Sequence, residues 1–187
     1  MIAGLALAGG QSRRMGADKP LLPLHGRALI AHVLDRLRDE TNAVAISANG
    51  DPARFAAFLC PVLPDGDFAG RGPLAGVLAG LDWAASIGAE ALLTIPADTP
   101  FAPAGLAAAL TPAPSCAASL GRAHHLVALW PTRAAADLRA FLLGDGPHAA
   151  HRFGALIGMR AVPFPTTADA DPFRNVNTPD DLARLAR

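Results

Sequence analysis

A glycine-rich, basic stretch near the N-terminus, LAGGQSRRMGADK from Leu7 to Lys19, combines residue types that bind phosphate. Its glycines let backbone N–H groups approach an anion closely, because no Cβ stands in the way. Successive N–H groups in such a turn form an anion-binding concavity. Arg13, Arg14 and Lys19 add fixed positive charge, as planar forks and as a compact point charge. The stretch therefore predicts a cradle for a triphosphate whose charge is neutralised while a new bond forms.

This stretch differs from the familiar phosphate-binding loops. It contains neither the G-x-x-x-x-G-K-[ST] of a P-loop nor the G-x-G-x-x-G of a dinucleotide-binding fold. A solvated basic turn is the alternative for the whole loop. That alternative has most force for Arg14, because two adjacent arginines in a loop seldom both face one ligand. Arg13 and Lys19 are therefore the cations that we expect to act on the phosphates.

Two aspartates are candidates for metal and nucleotide binding. Asp98 follows a short apolar run, and Mg²⁺ prefers carboxylate oxygens combined with phosphates and waters. The alternative is that Asp98 or Thr99 caps a helix that begins after Pro100. Asp65 lies in the sequence Pro-Asp-Gly-Asp, which by itself favours a surface turn, and Asp67 is assigned to that turn.

Alternating apolar and amphipathic segments must position these residues. Apolar runs that stop at Gly, Asn-Gly or Pro predict strands at residues 2–7, 43–47, 91–95, 116–120, 126–130 and 161–164. Apolar residues at helical spacing predict helices at residues 29–37, 74–81, 103–110, 133–143 and 178–186. This alternation indicates an α/β fold with a mostly parallel sheet and room for one antiparallel strand in the second half. Ligands then bind beyond the carboxyl ends of the strands.

The composition favours a single domain, residues 1–187, with a sizeable core. The formal net charge is +0 and aromatic residues make up 5%, so no nucleic-acid surface is expected. The apolar N-terminus is too short for a membrane span and lacks a preceding basic region, so it is interpreted as a strand and no membrane contact is expected. Cys60 and Cys116 form no CxxC and are expected to be buried thiols in the cytoplasm.

Four segments in a fixed order resemble a known family. They are LAGGQSRRMGADK, then Gly-Pro-Leu-Ala-Gly from Gly72, then Pro-Ala-Asp-Thr-Pro-Phe from Pro96, then Asn-Val-Asn-Thr-Pro-Asp-Asp-Leu from Asn175. The set resembles the bacterial molybdenum cofactor guanylyltransferases and spans nearly the whole chain. The resemblance implies a Rossmann-like three-layer α/β/α fold of the nucleotide-diphospho-sugar transferase type.

The same resemblance implies a reaction. GMP passes from GTP to the terminal phosphate of molybdenum-molybdopterin, pyrophosphate leaves, and Mg²⁺ assists. The expected partners are GTP, molybdopterin, and transiently the cofactor-insertion proteins or molybdoenzymes that receive the product. The catalytic residues implied are Lys19, Arg13 and Asp98, with Asp98 holding the metal.

The resemblance also assigns nucleotide contacts to Leu7, Ala8, Gly9, Lys19, Asp65 and Asp98, and Gly10 of the glycine pair is a further candidate contact. Relatives that use CTP resemble LAAG where this chain has Leu-Ala-Gly-Gly, which favours guanine. Two positions depart from the family pattern. Ser47 stands where an asparagine is frequent and lacks the paired donor and acceptor of an amide, so Asn49 is a substitute candidate. Asn177 stands where some relatives carry an aspartate, so Asp98 is expected to be the only carboxylate on the metal.

The acceptor side is expected near the C-terminus. Asn175 and Asn177 flank Val176, so on an extended segment both point the same way and suit a pterin or phosphate edge. His125 is a candidate donor to the pterin, with a surface strand-edge position for His124 and His125 as the alternative. A further group is a candidate for binding the acceptor phosphate: His148, His151 and Arg152.

Three other functions remain open at this point. The first is a cytidylyltransferase acting on the same cofactor. The second is a sugar-phosphate nucleotidyltransferase of the same fold, which the short chain disfavours. The third is a non-catalytic carrier of nucleotide or cofactor, which has no use for a metal carboxylate such as Asp98.

Overall fold

The computed structural model describes residues 1–9, 18–166, 171–176 and 181. The strands are β1 Ile2–Leu7, β2 Pro23–Leu24, β3 Arg27–Ala28, β4 Ala43–Ser47, β5 Val62–Leu63, β6 Ala91–Pro96, β7 Ser115–Ser119, β8 Arg122–Pro131 and β9 Arg160–Pro163. The α-helices are α1 Leu29–Glu40, α2 Pro73–Ser86, α3 Leu106–Leu110, α4 Ala135–Leu143 and α5 Ala150–Leu156. The helix predicted at residues 178–186 lies outside the described residues, apart from Asp181.

The main sheet has the order β5-β4-β1-β6-β8-β7-β9. Every pairing in it is parallel except those of β8, which runs antiparallel to β6 and to β7. The prediction of a mostly parallel sheet with an antiparallel strand in the second half is therefore confirmed. β2 and β3 form a separate small hairpin.

Two hydrophobic clusters on opposite faces of the sheet make the three layers. On one face, Ala6 and Ile46 pack with Leu34 of α1. On the other face, Leu5 and Ala45 pack with Val77 of α2. Successive residues of a strand point to opposite faces, so a parallel strand covered on both sides needs a continuous apolar run. The run in β1 is buried from residue 3 to residue 7, and each large aliphatic side chain buried this way contributes about 1.5–3 kcal/mol.

The turn of the β7–β8 hairpin could not be predicted from its residue types. Leu120 and Gly121 join the two strands with φ values of 49° and 74°, and Ser119 pairs directly with Arg122. A two-residue turn with both φ values positive usually carries Asn-Gly or Asp-Gly. Leucine is an uncommon residue at such a position, so β8 was predicted to begin at residue 126 and instead begins at Arg122.

None of the helices in the described part of the chain combines the length and the apolar composition needed to cross a membrane. The longest of these helices is α2, with 14 residues. This helix instead lies against the sheet and contributes to the core.

α2 approaches the middle of the sheet closely at Gly80. A Cβ added to Gly80 would collide with Leu5 Cδ2 and lie 2.9 Å from Leu92 Cδ2. We expect Gly80→Ala to lower the free energy of unfolding by about 1–2 kcal/mol, because overpacking outweighs the better helix propensity of alanine. Denaturant unfolding measures the change. Gly146→Ala is the control, since its nearest new contact is Arg152 Nη1 at 3.7 Å, and equal stability of the two variants would contradict the prediction.

Candidate active site

The carboxyl ends of β4, β1 and β6 meet at one edge of the sheet. Leu7 at the end of β1 is in register with Ser47 of β4 and with Pro96 of β6. The alignment continues beyond the strands, because Ala8 N donates to Ser47 O at 2.9 Å and Ala97 N donates to Leu7 O at 3.0 Å. The three following loops therefore leave the sheet side by side, with the loop after β1 in the middle.

Most of the predicted site residues lie at this edge or beside it. Leu7, Ala8 and Gly9 form the end of β1 and the start of the middle loop. Three other predicted residues lie outside the described residues, namely Gly10, Arg13 and Asn177. Their predicted roles in nucleotide, phosphate and acceptor binding stay predictions.

Lys19 and Asp98 form an ion pair on the β6 side of the middle loop. Lys19 Nζ lies 2.6 Å from Asp98 Oδ2, and the two side chains are 15% and 24% exposed. Lys19 begins the short 3-10 helix Lys19–Leu21, in which Pro20 is buried. Water screens partly buried charges less than exposed ones, so the two charges of this pair attract each other more strongly than those of a surface ion pair. The structure thus brings together the predicted phosphate lysine and the predicted metal carboxylate across 79 residues of sequence.

Asp98 lies in a turn and not at the start of a helix. Thr99 N donates to Pro96 O at 3.0 Å, which closes the turn, and the next helix begins only at Leu106. The helix-cap interpretation of Asp98 and Thr99 is therefore wrong. The Thr99 hydroxyl instead donates to Asn175 Oδ1 at 3.1 Å.

The donor set around Asp98 suits magnesium. Among the described residues, Asp98 contributes a carboxylate here and Asn175 an amide oxygen, so both side-chain acceptors are oxygens. In the part of the chain that the structure describes, no three His, Cys, Asp or Glu side chains are grouped so that they could hold a metal ion. Mg²⁺ binds through one or two carboxylates when substrate phosphates and waters supply the other oxygens, so a carboxylate beside the predicted phosphate lysine fits this ion.

A second carboxylate lies on the β4 side of the middle loop and is held by an amide. Asn49 Nδ2 donates to Asp65 Oδ2 at 2.6 Å, and Asp65 N donates to Asn49 Oδ1 at 2.9 Å. This reciprocal pair uses both halves of the Asn49 amide. Asn49, named from the sequence as a substitute for the missing amide at position 47, therefore orients Asp65.

Ser47 occupies a confined position beneath this pair. Its side chain is 1% exposed, and a Cβ added to Gly76 of α2 would collide with Ser47 Oγ. The same added Cβ would lie 3.4 Å from Asp65 Oδ1. Glycine at position 76 therefore lets α2 approach the end of β4, and it brings the start of α2 close to Asp65. Gly72, with φ 85°, provides the tight entry into that helix.

The segment 171–176 crosses the β6 loop from the acceptor side. Val176 N donates to Asp98 O at 2.8 Å, and Asn175 accepts from Thr99. Val176 is buried with Leu24 and Leu29. The predicted acceptor residue Asn175 is thus fixed beside the predicted metal ligand Asp98.

A buried hydroxyl anchors the other end of this segment. Ser119 Oγ donates to Asp171 Oδ1 at 2.8 Å and lies 2.6 Å from His124 Nε2. A hydroxyl has one proton, so His124 donates to Ser119 in this arrangement. The His124 ring also packs on Phe173, with ring centroids 5.0 Å apart. Nothing in the spacing of Ser119 and Asp171 indicated this contact, because it joins the end of β7 to a segment without regular secondary structure 52 residues away.

We expect Ser119→Ala to loosen this segment. The change removes two hydrogen bonds and leaves the Asp171 carboxylate short of a partner, at a cost of about 1–2 kcal/mol in unfolding free energy. In steady-state assays the KM for the pterin acceptor is expected to rise while the KM for the nucleotide stays the same. Ser86→Ala is the control, because that hydroxyl donates to Trp83 O at the exposed end of α2. An equal effect on both KM values would contradict the prediction.

His124 and His125 lie within β8 and are partly buried, so they are not the surface pair that the alternative described. Burial lowers the pKa of His124, the nearby Asp171 opposes this, and Arg122 and His125 add to the lowering. Burial also lowers the pKa of His125, with a further contribution from His151. Both imidazoles are therefore neutral near pH 7 and can act as hydrogen-bond donors and acceptors.

The remaining acceptor-side candidates separate into two groups. The His125 and His151 rings lie with centroids 6.2 Å apart, so this contact joins α5 to β8. In contrast, His148 Nε2 lies 3.1 Å from Gly144 O, and Arg152 Nη1 donates to Pro147 O at 3.5 Å. The last two side chains thus contact their own loop in the structure, and their predicted role toward an acceptor phosphate stays a prediction.

Comparison with known proteins supports one family. Residues 4–156 match the model of the MobA-like NTP transferase domain. A molybdenum cofactor guanylyltransferase of Acidiphilium cryptum is 56% identical over 182 residues, which cover 97% of this chain and 92% of that protein. Another, from Rhodobacter capsulatus, is 53% identical over 186 residues and covers 98% of this chain and 94% of the relative.

A solved structure confirms the fold. The molybdopterin-guanine dinucleotide biosynthesis protein A of Archaeoglobus fulgidus superposes with a TM-score of 0.73 at 22% identity, covering 100% of this chain and 97% of that one. The predicted α/β fold of the nucleotide-diphospho-sugar transferase type is confirmed. The predicted enzyme class, nucleotidyltransferase, is confirmed by the family match. The chain therefore belongs to the MobA-like NTP transferase family, in the group of the molybdenum cofactor guanylyltransferases.

Proposed function

We propose that this chain transfers GMP from GTP to the terminal phosphate of molybdenum-molybdopterin and releases pyrophosphate. The observation that carries the proposal is the placement of two carboxylates on either side of the β1 loop. Asp98 with its partner Lys19 lies on the β6 side, and Asp65 with its partner Asn49 lies on the β4 side. A nucleotide laid across the loop can then place its phosphates at Lys19 and its base at Asp65.

The chemistry of Asp65 favours guanine as the base. Guanine presents N–H donors at its ring nitrogen and its exocyclic amine, and a carboxylate accepts from both. Cytosine presents an amino donor beside a ring nitrogen that accepts, so one carboxylate oxygen would face a second acceptor. Asn49 holds the Asp65 carboxylate from one side, so the orientation of Asp65 is set before the base binds.

The proposed chemical step is in-line displacement at the α-phosphorus of GTP. An oxygen of the acceptor phosphate forms the new P–O bond, the bond from the α-phosphorus to the bridging oxygen breaks, and pyrophosphate leaves with that electron pair. The attacking phosphate is already ionised near neutral pH, so no general base is needed. Catalysis then depends on positioning and on charge stabilisation.

Specific residues of the chain supply that stabilisation in the proposal. Lys19 and Arg13 neutralise the phosphate oxygens, and Asp98 together with the GTP phosphates holds Mg²⁺. When bound, the ion supplies further neutralisation of the charge that develops on the leaving pyrophosphate. Asn175, fixed by Thr99 beside Asp98, orients the acceptor phosphate or pterin from the opposite side. The same role is proposed for Asn177 on its place in the sequence alone.

The setting of the reaction is also part of the proposal. We place it in the cytoplasm, in keeping with two free cysteines, of which Cys116 is buried and has its thiol pKa raised by that burial. A single domain over residues 1–187 holds both substrates. The product then passes to cofactor-insertion proteins or molybdoenzymes through transient contacts.

A pyrophosphate-release assay tests the function. The protein is incubated with Mg²⁺ and metal-loaded molybdopterin, and GTP is compared with CTP, ATP and UTP. Release with GTP alone is the expected result. A preference for CTP would mean that the acceptor is right and the base assignment wrong, whereas GTP binding without release would favour a carrier.

A further inference from the structure

We infer that Arg54 is a positioning residue that joins the base-binding loop to the phosphate-binding loop. Arg54 lies in the 3-10 helix Pro52–Phe58, which follows β4. Its Nη1 donates to Asp18 Oδ2 at 2.6 Å, and its Nη2 donates to Asn49 O at 2.9 Å. The two terminal nitrogens of one guanidinium thus bond to two different loops, 31 residues apart in sequence at Asp18 and Asn49. This inference rests on the proposed function and extends it to a residue that the family motifs do not include.

The guanidinium is held in one orientation. Its central carbon lies 4.6 Å from the centre of the Phe55 ring, and Phe55 is 0% exposed. Arg54 and Asp18 are 31% and 29% exposed, so the ion pair is partly shielded from water. The Arg54 guanidinium is planar, stacks on the Phe55 ring and has both terminal nitrogens bonded. It therefore loses little further conformational freedom when a ligand binds.

Each end of the link reaches a residue of the proposed site. Asp18 directly precedes Lys19, whose Nζ pairs with Asp98. Asn49 carries the amide that holds Asp65. The carboxylate proposed to accept from guanine and the lysine proposed to bind the triphosphate are therefore connected through one guanidinium.

This connection has a mechanical consequence for nucleotide binding. If the two loops were independent, base and phosphates would each have to order their own loop. With Arg54 in place, Asp18 and Asn49 are held together before binding, which lowers the entropy cost of placing a nucleotide across Lys19 and Asp65. Loss of Arg54 should therefore weaken nucleotide binding and also relax the selection of the base, because Asn49 and Asp65 lose a support.

The first variant is Arg54→Met, which keeps the apolar stem and removes the fork. We expect the KM and the dissociation constant for GTP to rise about tenfold, with kcat changed less than threefold, the scale of one or two charge-assisted hydrogen bonds. The ratio of the dissociation constants for ITP and GTP should fall, because inosine lacks the exocyclic amine that a fixed Asp65 accepts from. A general loss of positive charge would instead weaken ITP and GTP binding equally.

Two further variants complete the design. Arg54→Lys keeps the charge but cannot bond both loops in one plane, so it should restore less than half of the lost affinity on a logarithmic scale. Arg38→Met is the matched control, because Arg38 Nη2 donates to Phe58 O at 2.8 Å, at the far end of the same 3-10 helix. Thermal unfolding of both methionine variants shows whether each remains folded.

The outcomes separate this inference from the proposed function. Wild-type pyrophosphate release tests the function, whereas nucleotide affinities of the variants test the link, even if the wild type binds GTP without turnover. Unchanged GTP affinity and an unchanged ITP-to-GTP ratio in Arg54→Met would overturn the inference. So would full rescue by Arg54→Lys, or an equal loss in Arg38→Met. A wild type that binds no nucleotide would overturn both.

Discussion

Asp98→Asn is expected to lower kcat for pyrophosphate release by about a hundredfold or more, in line with the loss of one electrostatic stabiliser from a catalytic site. Asparagine has nearly the same shape as aspartate, so packing in the turn after β6 is kept. The change removes the negative charge of Asp98, which pairs with Lys19 and which we propose binds Mg²⁺. Activity is also expected to require a higher Mg²⁺ concentration, since a neutral amide oxygen is a weaker ligand than a carboxylate.

The measurement is the rate of pyrophosphate release at saturating GTP over a Mg²⁺ titration. Asp67→Asn is the matched control, because Asp67 is an exposed aspartate in the turn next to Asp65 and has no proposed role in metal binding. Full turnover of Asp98→Asn at ordinary Mg²⁺ concentrations would contradict the metal assignment. A loss in Asp67→Asn of the same size would show that the effect is not specific to position 98.

Lys19→Gln is expected to lower kcat by about a hundredfold as well, and to weaken GTP binding by a smaller factor. The ammonium group neutralises charge that grows as pyrophosphate leaves, so its loss affects the transition state more than the ground state. Lys19→Arg should recover little of the rate, because a planar guanidinium is a poor substitute for a compact point charge in this confined position. Arg27→Gln is the control, since Arg27 forms an exposed ion pair with Asp35 and has no proposed role in nucleotide binding.

A chemical experiment tests the same assignment in the wild-type protein. Lys19 is the only lysine among the 16 Lys and Arg residues of the sequence. An amine-reactive acylating reagent can therefore modify only Lys19 and the N-terminal amine, and peptide mapping separates the two. GTP is expected to slow acylation of Lys19 and to leave the N-terminal amine unaffected. Acylation of Lys19 at the same rate with and without GTP would contradict its role in phosphate binding.

The strand bounds in the parallel half of the sheet could be predicted from local sequence patterns. β1 and β4 have the predicted bounds, residues 2–7 and 43–47, and β6 exceeds its predicted run by Pro96 alone. These strands are buried on both faces, so their apolar runs are continuous and end sharply at glycine, serine or proline. Lys19 and Asp98 were named as candidates from the loop and the strand end that precede them, whereas Asp65 was named through the family resemblance.

The strands and helices of the second half of the chain were predicted less accurately, because their sequence patterns are weaker or absent. β8 contains polar residues such as His124 and His125, and its first four residues lie beyond the predicted strand. The turn before it uses Leu120, which is not a typical residue for positive φ. α5 is short, at seven residues, and is positioned by packing of Phe153 on Trp130, with ring centroids 6.0 Å apart. Tertiary packing of this kind leaves no periodic pattern long enough to recognise.

The sequence by itself was sufficient to predict the family, the α/β class and most of the candidate site residues. Residue types and motif order were enough for this, because a glycine-rich loop, an aspartate at a strand end and a lysine have the same binding chemistry in any fold. Which of them meet depended on the sheet order β4-β1-β6, which brings loops distant in sequence to one edge. The supporting contacts came only from that arrangement: Asn49 with Asp65, Arg54 with Asp18, and Ser119 with Asp171. Each joins ordinary polar residues across 16 to 52 positions, and hydrogen bonds of such span leave no local signal in a single sequence.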